Sequence, residues 1–283
     1  MSDAETLWVL AVGIYLAETL LLVPRDAAVF RSAGRGGFRA VRPFFARRDS
    51  GPGLVMGTPW PPLGLLAIGR REGALLAPEV VRDRVGAWLA ASRRVRGAAV
   101  ALLVVTFAGS ALVIWAPAGP WGRASGAWVF ALVGALWALT GGLAVRLWRR
   151  QDPARRAPGK DLFTALASPL SAVRVHDVLG RNELADVSEL ALALALLSPE
   201  ARAPVVRAAL VRARGEGGAA EAALAATLSG EGVDVGAVLA PPAREDADAQ
   251  AYCPLCLAEY RVAEGVCSTC EGVALVAFGV ESR

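Results

Sequence analysis

Three long apolar runs dictate what this chain can become. The first, Leu7 to Val23, reads LWVLAVGIYLAETLLLV. The second, Ala98 to Ala116, is nineteen residues without a charge. As a helix rising ~1.5 Å per residue it crosses most of a ~30 Å hydrocarbon layer. The third, from about Gly126 to Val145, lies between Arg123 and Arg146. Composition agrees, with 55% hydrophobic residues, 20% charged and a mean hydropathy of +0.44. Trp8, Trp115, Trp121, Trp128 and Trp148 fall near the ends of the runs, where interfacial aromatics belong. The pattern predicts a mainly α membrane protein with three transmembrane helices, one in residues 1–23 and a hairpin in 98–148. The first run lacks a basic leader and a small-residue cleavage site, so a cleaved signal peptide is not expected.

Arginine placement orients these spans. Between Pro24 and Arg96 stand fourteen arginines against five acids, whereas the turn between the second and third runs carries Arg123 alone. Arg146, Arg149, Arg150, Arg155 and Arg156 follow the third run. The positive-inside rule then places the N-terminus outside and the C-terminal half in the cytoplasm of a bacterial cell, with the chain in the cytoplasmic membrane. Lys160 is the only lysine and the net charge is only +4. The basic residues therefore speak for topology rather than for nucleic-acid binding.

Residues 24–97 read as a basic cytoplasmic insertion of short strands broken by Gly, Pro and Asp-Ser-Gly, closed by a juxtamembrane helix over 79–96 that Pro78 and Glu79 open. On that helix Val81, Val85, Trp88 and Leu89 share one face. The arginines of the whole insertion, with Arg31, Arg35, Arg39, Arg42, Arg93, Arg94 and Arg96 foremost, are candidates for contact with anionic lipid or phosphate. The Gly-rich turn SAGRGG matches neither phosphate-binding fingerprint. A basic linker (149–160) leads to a helical module over 161–230, in which Asn182 is a candidate cap and Ser198-Pro199-Glu200 a helix start. A second linker covers 231–250.

The four cysteines all lie in residues 251–283, as Cys253-Pro-Leu-Cys256 and Cys267-Ser-Thr-Cys270 with ten residues between the pairs. Two CxxC knuckles at this spacing can bring four thiolates to tetrahedral distances, which suits zinc at about 2.3 Å from each sulfur. Rubredoxin-type iron and, were the topology inverted, disulfides are the alternatives. The stretch YCPLCLAEYRVAEGVCSTCEGVALVAF resembles the bacterial zinc-ribbon family, whose usual form is CPxCGxxY…CxxCGxxL. The resemblance implies a structural zinc ion on Cys253, Cys256, Cys267 and Cys270. Leu257 and Glu271 stand where the family has glycine, which implies strained knuckles.

Glu18 is the only acid inside a run. An intramembrane carboxylate calls for a partner such as Arg25 or Arg146, an ion path or an interface with another subunit. His176 is the only histidine and neighbours Asp177, but successive helix residues point about 100° apart, so adjacency makes no acid–base pair. With no catalytic constellation, the sequence predicts a non-enzymatic, membrane-anchored scaffold or accessory subunit that presents the helical module and the ribbon to a protein partner. A part in a transporter or membrane enzyme through Glu18 or the arginine-rich loop is the second expectation. A membrane-tethered nucleic-acid binder is the third, and Arg261 as the ribbon's lone base between Cys253 and Cys270 counts against it.

Overall fold

The first apolar run is divided between two kinds of structure. In a computed structural model, which describes residues 3–17, 20–23, 27–32, 38–41, 53–56, 66–70, 73–115, 120–270 and 272–279, Asp3–Ala17 forms helix α1 and Leu20–Val23 forms strand β1. The helix has 15 residues, about 22 Å of rise, where a continuous span to Val23 was expected. A short run such as Leu-Leu-Leu-Val has no polar position to mark a helical face, and suits a strand when an apolar partner strand is available. That partner is Gly53–Met56: β2 (Ala27–Ser32), β3 (Phe38–Val41), β4 (Gly53–Met56) and β5 (Leu66–Arg70) follow β1, and β4 pairs antiparallel with it, Leu20 opposite Met56. The other three strands form an antiparallel sheet in the order β3-β2-β5. Val29 and Phe30 of β2 are buried.

Helix α2 runs from Pro78 to Val104 with Pro78 in its first turn and Glu79 beside its positive end. Instead of stopping at Arg96 it passes straight into the second apolar run, through a π-helical turn (Val105–Gly109) and α3 (Ser110–Trp115). Nothing in RRVRG breaks a helix, so the juxtamembrane helix and the span become one rod of 38 residues, about 57 Å. Helix α4 (Pro120–Arg150) returns alongside, starting six residues before the expected boundary because Pro120 is a favourable first-turn residue. Pro78–Trp115 and Gly126–Arg150 are both long and apolar enough to cross a membrane.

The π turn has a visible cause. Ser110 Oγ donates to the Thr106 and Phe107 carbonyls, and a hydroxyl inserted into the i→i−4 ladder widens it. The Phe107 carbonyl also accepts the Trp8 indole N–H at 3.4 Å. Tyr15 and Trp8 of α1 meet the Phe107 ring edge-on, at centroid distances of 5.2 and 6.4 Å. Tyr15, Leu102, Leu103, Phe107, Ala172 and Val173 form one buried cluster.

After α4 the chain folds back on it. Gln151 and Ala157 are buried, the Trp148 indole donates to Ala157 O at 2.7 Å, and Arg156 lies over the Trp148 ring. The stretch expected as a linker is therefore packed. Four short helices follow: α5 (Gly159–Leu166), α6 (Pro169–Ala172, capped by Ser168), α7 (Val175–Glu183) and α8 (Glu189–Leu196). Ser188, not Asn182, caps α8, accepting Ala191 N–H at 3.1 Å. Asn182 closes α7 instead, donating to Val178 O. The residues Leu184–Val187 turn the chain before α8 begins, which is why the cap lies six positions later. This turn meets the strand region: Ala74 and Val187 make a parallel bridge, with Ala74 N–H on Asp186 O at 2.8 Å and Ser188 N–H on Ala74 O at 3.0 Å. Glycine is required beside it, since a Cβ on Gly73 would lie 2.5 Å from Ser188 N.

The chain divides into two compact units, Met1–Leu197 and Ser198–Arg283. The helices of 161–230 fall on both sides of this division. The second unit opens with α9 (Pro199–Glu216), which Ser198 caps, and continues with α10 (Gly218–Gly230). Gly217, at φ 131°, separates the two, and Arg214 clasps Glu221 across the turn at 2.6 Å. In the stretch expected as the second linker, Asp234 caps a further helix, α11 (Val235–Leu239). Strands β6 (Ala251–Tyr252), β7 (Glu259–Tyr260) and β8 (Val276–Ala277) make a small antiparallel sheet in the order β7-β6-β8.

Candidate metal centre

Each CxxC pair turns on its own first sulfur. Thr269 and Cys270 donate their N–H groups to Cys267 Sγ at 3.4 and 3.1 Å. The backbone amides of Leu255 and Cys256 likewise favour the thiolate of Cys253. The two knuckles thus repeat one pattern, in which the second and third residues after the first cysteine curl their amides round it. The backbone closes behind each: Leu257 N–H reaches Cys253 O, and Val273 N–H reaches Cys270 O. Closing the first knuckle takes a left-handed residue, and Leu257 fills that place at φ 62°. In the second knuckle Gly272 adopts φ 73°; Glu271 lies outside the described residues.

Strand β6 leads into Cys253, and β7 and β8 flank it on either side. Cys267 N–H is held by Val273 O, and Gly265 O accepts Leu275 N–H. Tyr252 and Phe278 meet at a 41° tilt with ring centroids 5.1 Å apart, and Arg244 covers the Phe278 ring. Glu259 accepts the N–H groups of Glu245 and Asp246 at 2.8 and 2.9 Å, which ties the preceding segment to β7.

The four Sγ atoms lie within 4.8 Å of one another, and those of Cys256 and Cys267 are 3.6 Å apart. A tetrahedron with ~2.3 Å metal–sulfur bonds has edges of about 3.8 Å, so the set fits a four-coordinate ion. Cys253 and Cys267 are buried, Cys270 is half-buried and Cys256 is exposed. Electrostatics favour the same reading. Burial pushes Cys267 up, but the Tyr260 hydroxyl donates to its sulfur at 3.1 Å and, with the two amides, brings its pKa down to about 6. Burial raises Cys253 and Cys270, and for Cys270 the adjacent thiols raise it further. Neighbouring sulfurs resist ionising together, and a cation among them removes that resistance. The four cysteines can therefore hold a metal ion.

Set against family models, curated proteins and solved structures, the chain has no match. What it can do is read from its own geometry.

Glu18, Arg35 and Arg42 lie outside the described residues, as does Arg25. Arg31 and Arg39 are register partners across β2 and β3, with Arg39 exposed. Arg93 and Arg94 are exposed on α2, and Arg96 donates to Leu89 O at 2.9 Å. His176 is fully buried, and its Nδ1 lies 3.1 Å from Asp177 Oδ1. The two neighbours approach more closely than helical adjacency suggests, yet without hydrogen-bond geometry at the ring. From the sequence Arg150 is a marker of topology, and Arg146 that and a candidate partner for Glu18; the structure places both with Arg94 round one cleft. Their spacing of four on α4 was the signal.

Proposed function

We propose that this chain is a non-enzymatic scaffold or accessory subunit of the bacterial cytoplasmic membrane, whose C-terminal unit is built round a structural zinc ion and docks a protein partner. The observation that carries this reading is the closed donor set. Four thiols at tetrahedral spacing fill every position of a zinc ion and leave none for water or substrate, which is the mark of a structural site. Sulfur-only ligation also favours zinc over the harder divalent cations. The rest of the reading is membrane topology: α1 enters the apolar layer as a third crossing beside the hairpin, the N-terminus lies outside, and the strands of 24–97 form a small cytoplasmic β-module. That topology puts the thiols in a reducing compartment, where zinc is favoured over disulfides.

The test is purification of the full chain from membranes in mild detergent, beside Cys253→Ser/Cys256→Ser. One zinc per wild-type chain and a stoichiometric protein partner that the variant loses are the expected results. Metal-free wild-type protein, iron in place of zinc, or the same partner in both samples would overturn the reading.

A further inference from the structure

The basic end of the α2–α4 hairpin holds a cleft of about 420 Å³. Five arginines line it, but two are already neutralised. Arg84 meets Asp186 at 2.8 Å, and Arg155 meets Asp152 and Glu183 at 3.1 and 3.4 Å. Among the described residues, the remaining three, Arg94, Arg146 and Arg150, make no ion pair. Three cations round one cleft repel one another and attract a compact anion.

The floor supplies two further groups. Trp88 is 4% exposed and its indole N–H has no hydrogen-bond partner. Gln151 is 6% exposed; its Nε2 donates to Leu179 O and to Glu183 Oε2, both acceptors, which settles the orientation of the amide. Its Oε1 has no partner. Both side chains line this cleft, although these two atoms are themselves closed to solvent. The groups left to meet a ligand are the three exposed arginines, which call for negative charge.

The surroundings indicate where such a ligand comes from. Leu132, Leu139, Leu143, Arg146 and Arg150 fall in one stripe of α4 by helical periodicity. Leu132 and Leu139 are 49% and 52% exposed, inside the candidate membrane span. An apolar track therefore leads up to the arginines from the side of the hydrocarbon. We infer that the cleft binds the phosphodiester of an anionic phospholipid. The phosphate is held by Arg94, Arg146 and Arg150, and an acyl chain lies along the leucines. Guanidinium groups suit phosphate by forked, charge-assisted hydrogen bonds.

This inference rests on the hairpin's lying in a membrane. The experiment is native mass spectrometry of the full chain in mild detergent, titrated with phosphatidylglycerol, phosphatidylcholine or inorganic phosphate. Arg94→Gln/Arg146→Gln/Arg150→Gln is compared with the charge-matched Arg82→Gln/Arg93→Gln/Arg149→Gln, which lies off the cleft. Phosphatidylglycerol is expected to bind wild type, to be unaffected by millimolar phosphate, and to bind the cleft variant about tenfold more weakly than the control, the loss of roughly one well-placed charge-assisted contact. Equal losses in the two triple variants would reduce the cleft to diffuse surface charge. Displacement by phosphate would make the ligand a soluble anion, and either result overturns the inference. Extraction of the chain by alkaline carbonate would instead defeat the membrane reading beneath it.

Discussion

Leu257 carries the most direct conflict between a side chain and its backbone. It sits at φ 62° in the first knuckle, where a left-handed conformation costs a non-glycine residue roughly 1–2 kcal/mol. Glycine removes that cost but adds about 0.5–1 kcal/mol of unfolded-chain entropy. Leu257→Gly is therefore expected to stabilise the metal-loaded protein by about 0.5–1 kcal/mol, read as a rise in the denaturant concentration at which metal is released; a fall would show that Leu257 contributes more by packing. Tyr260 acts on the same centre through its hydroxyl, which donates to Cys267 Sγ at 3.1 Å and accepts Ser268 N–H at 3.2 Å. A hydrogen bond to a thiolate favours the charged form, and Cys267 is lowered from 9.0 to about 6. Because this folded-state value is depressed, its stabilisation is complete above the ordinary thiol value and is lost as pH falls through about 6. Tyr260→Phe raises the value, so at pH 7 an incoming metal has a proton to displace. Competition with a chelator should show affinity reduced on the order of tenfold at pH 7, with the deficit shrinking by pH 9. The same deficit at both pH values would leave only a packing role for the ring. The four cysteines were legible because ligand chemistry writes itself into spacing. The bond from Tyr260 to Cys267 was not legible, since it depends on the folded turn between them.

At the scale of elements, helix starts were easier to read than helix ends. Pro78 and Ser198-Pro199 announce α2 and α9 by their own chemistry. The continuity of α2 through Arg96 into the apolar run was hidden, because a sequence marks where a helix begins more clearly than where two candidates merge. The division of Leu7–Val23 was hidden for another reason: pairing with Gly53–Met56 is a non-local event that a run of leucines does not advertise. The joint at Gly73 belongs to the same class. Its backbone lies against Val187 and Ser188, beside the Ala74–Val187 bridge and the Arg84–Asp186 ion pair. Gly73→Ala forces these backbones apart, and overpacking of this kind typically costs 1–3 kcal/mol, so a loss of about 2 kcal/mol is expected. Limited proteolysis of the protein in detergent is the measurement, with faster cleavage near residues 71–76 expected. Unchanged cleavage would mean the bridge opens without consequence.

For the whole molecule, the division at Ser198 is the feature that composition alone conceals, because the helical module read over 161–230 extends across it. The second unit has apolar residues of its own to bury: Val206, Leu210 and Leu228 in α9 and α10, and Ala251 and Tyr252 beside the thiols. The two halves of that list depend on different forces. Helices α9 and α10 pack along their lengths and are pinned by Arg214 and Glu221. Strands β6, β7 and β8 have two residues each, too little core to stand without a metal at their centre. Residues 198–283 produced alone are therefore expected to stay in solution and to take up one metal ion, while residues 1–197, which hold the two candidate spans found among the described residues, partition into membranes. On chelation the helical circular dichroism of 198–283 should persist while the amide resonances of 251–279 collapse to unfolded positions. If the helices melt together with the ribbon, metal and helices form one cooperative unit. In that case metal loss would unfold all of 198–283, and the ion would govern far more of this chain than the turn of sequence that holds it.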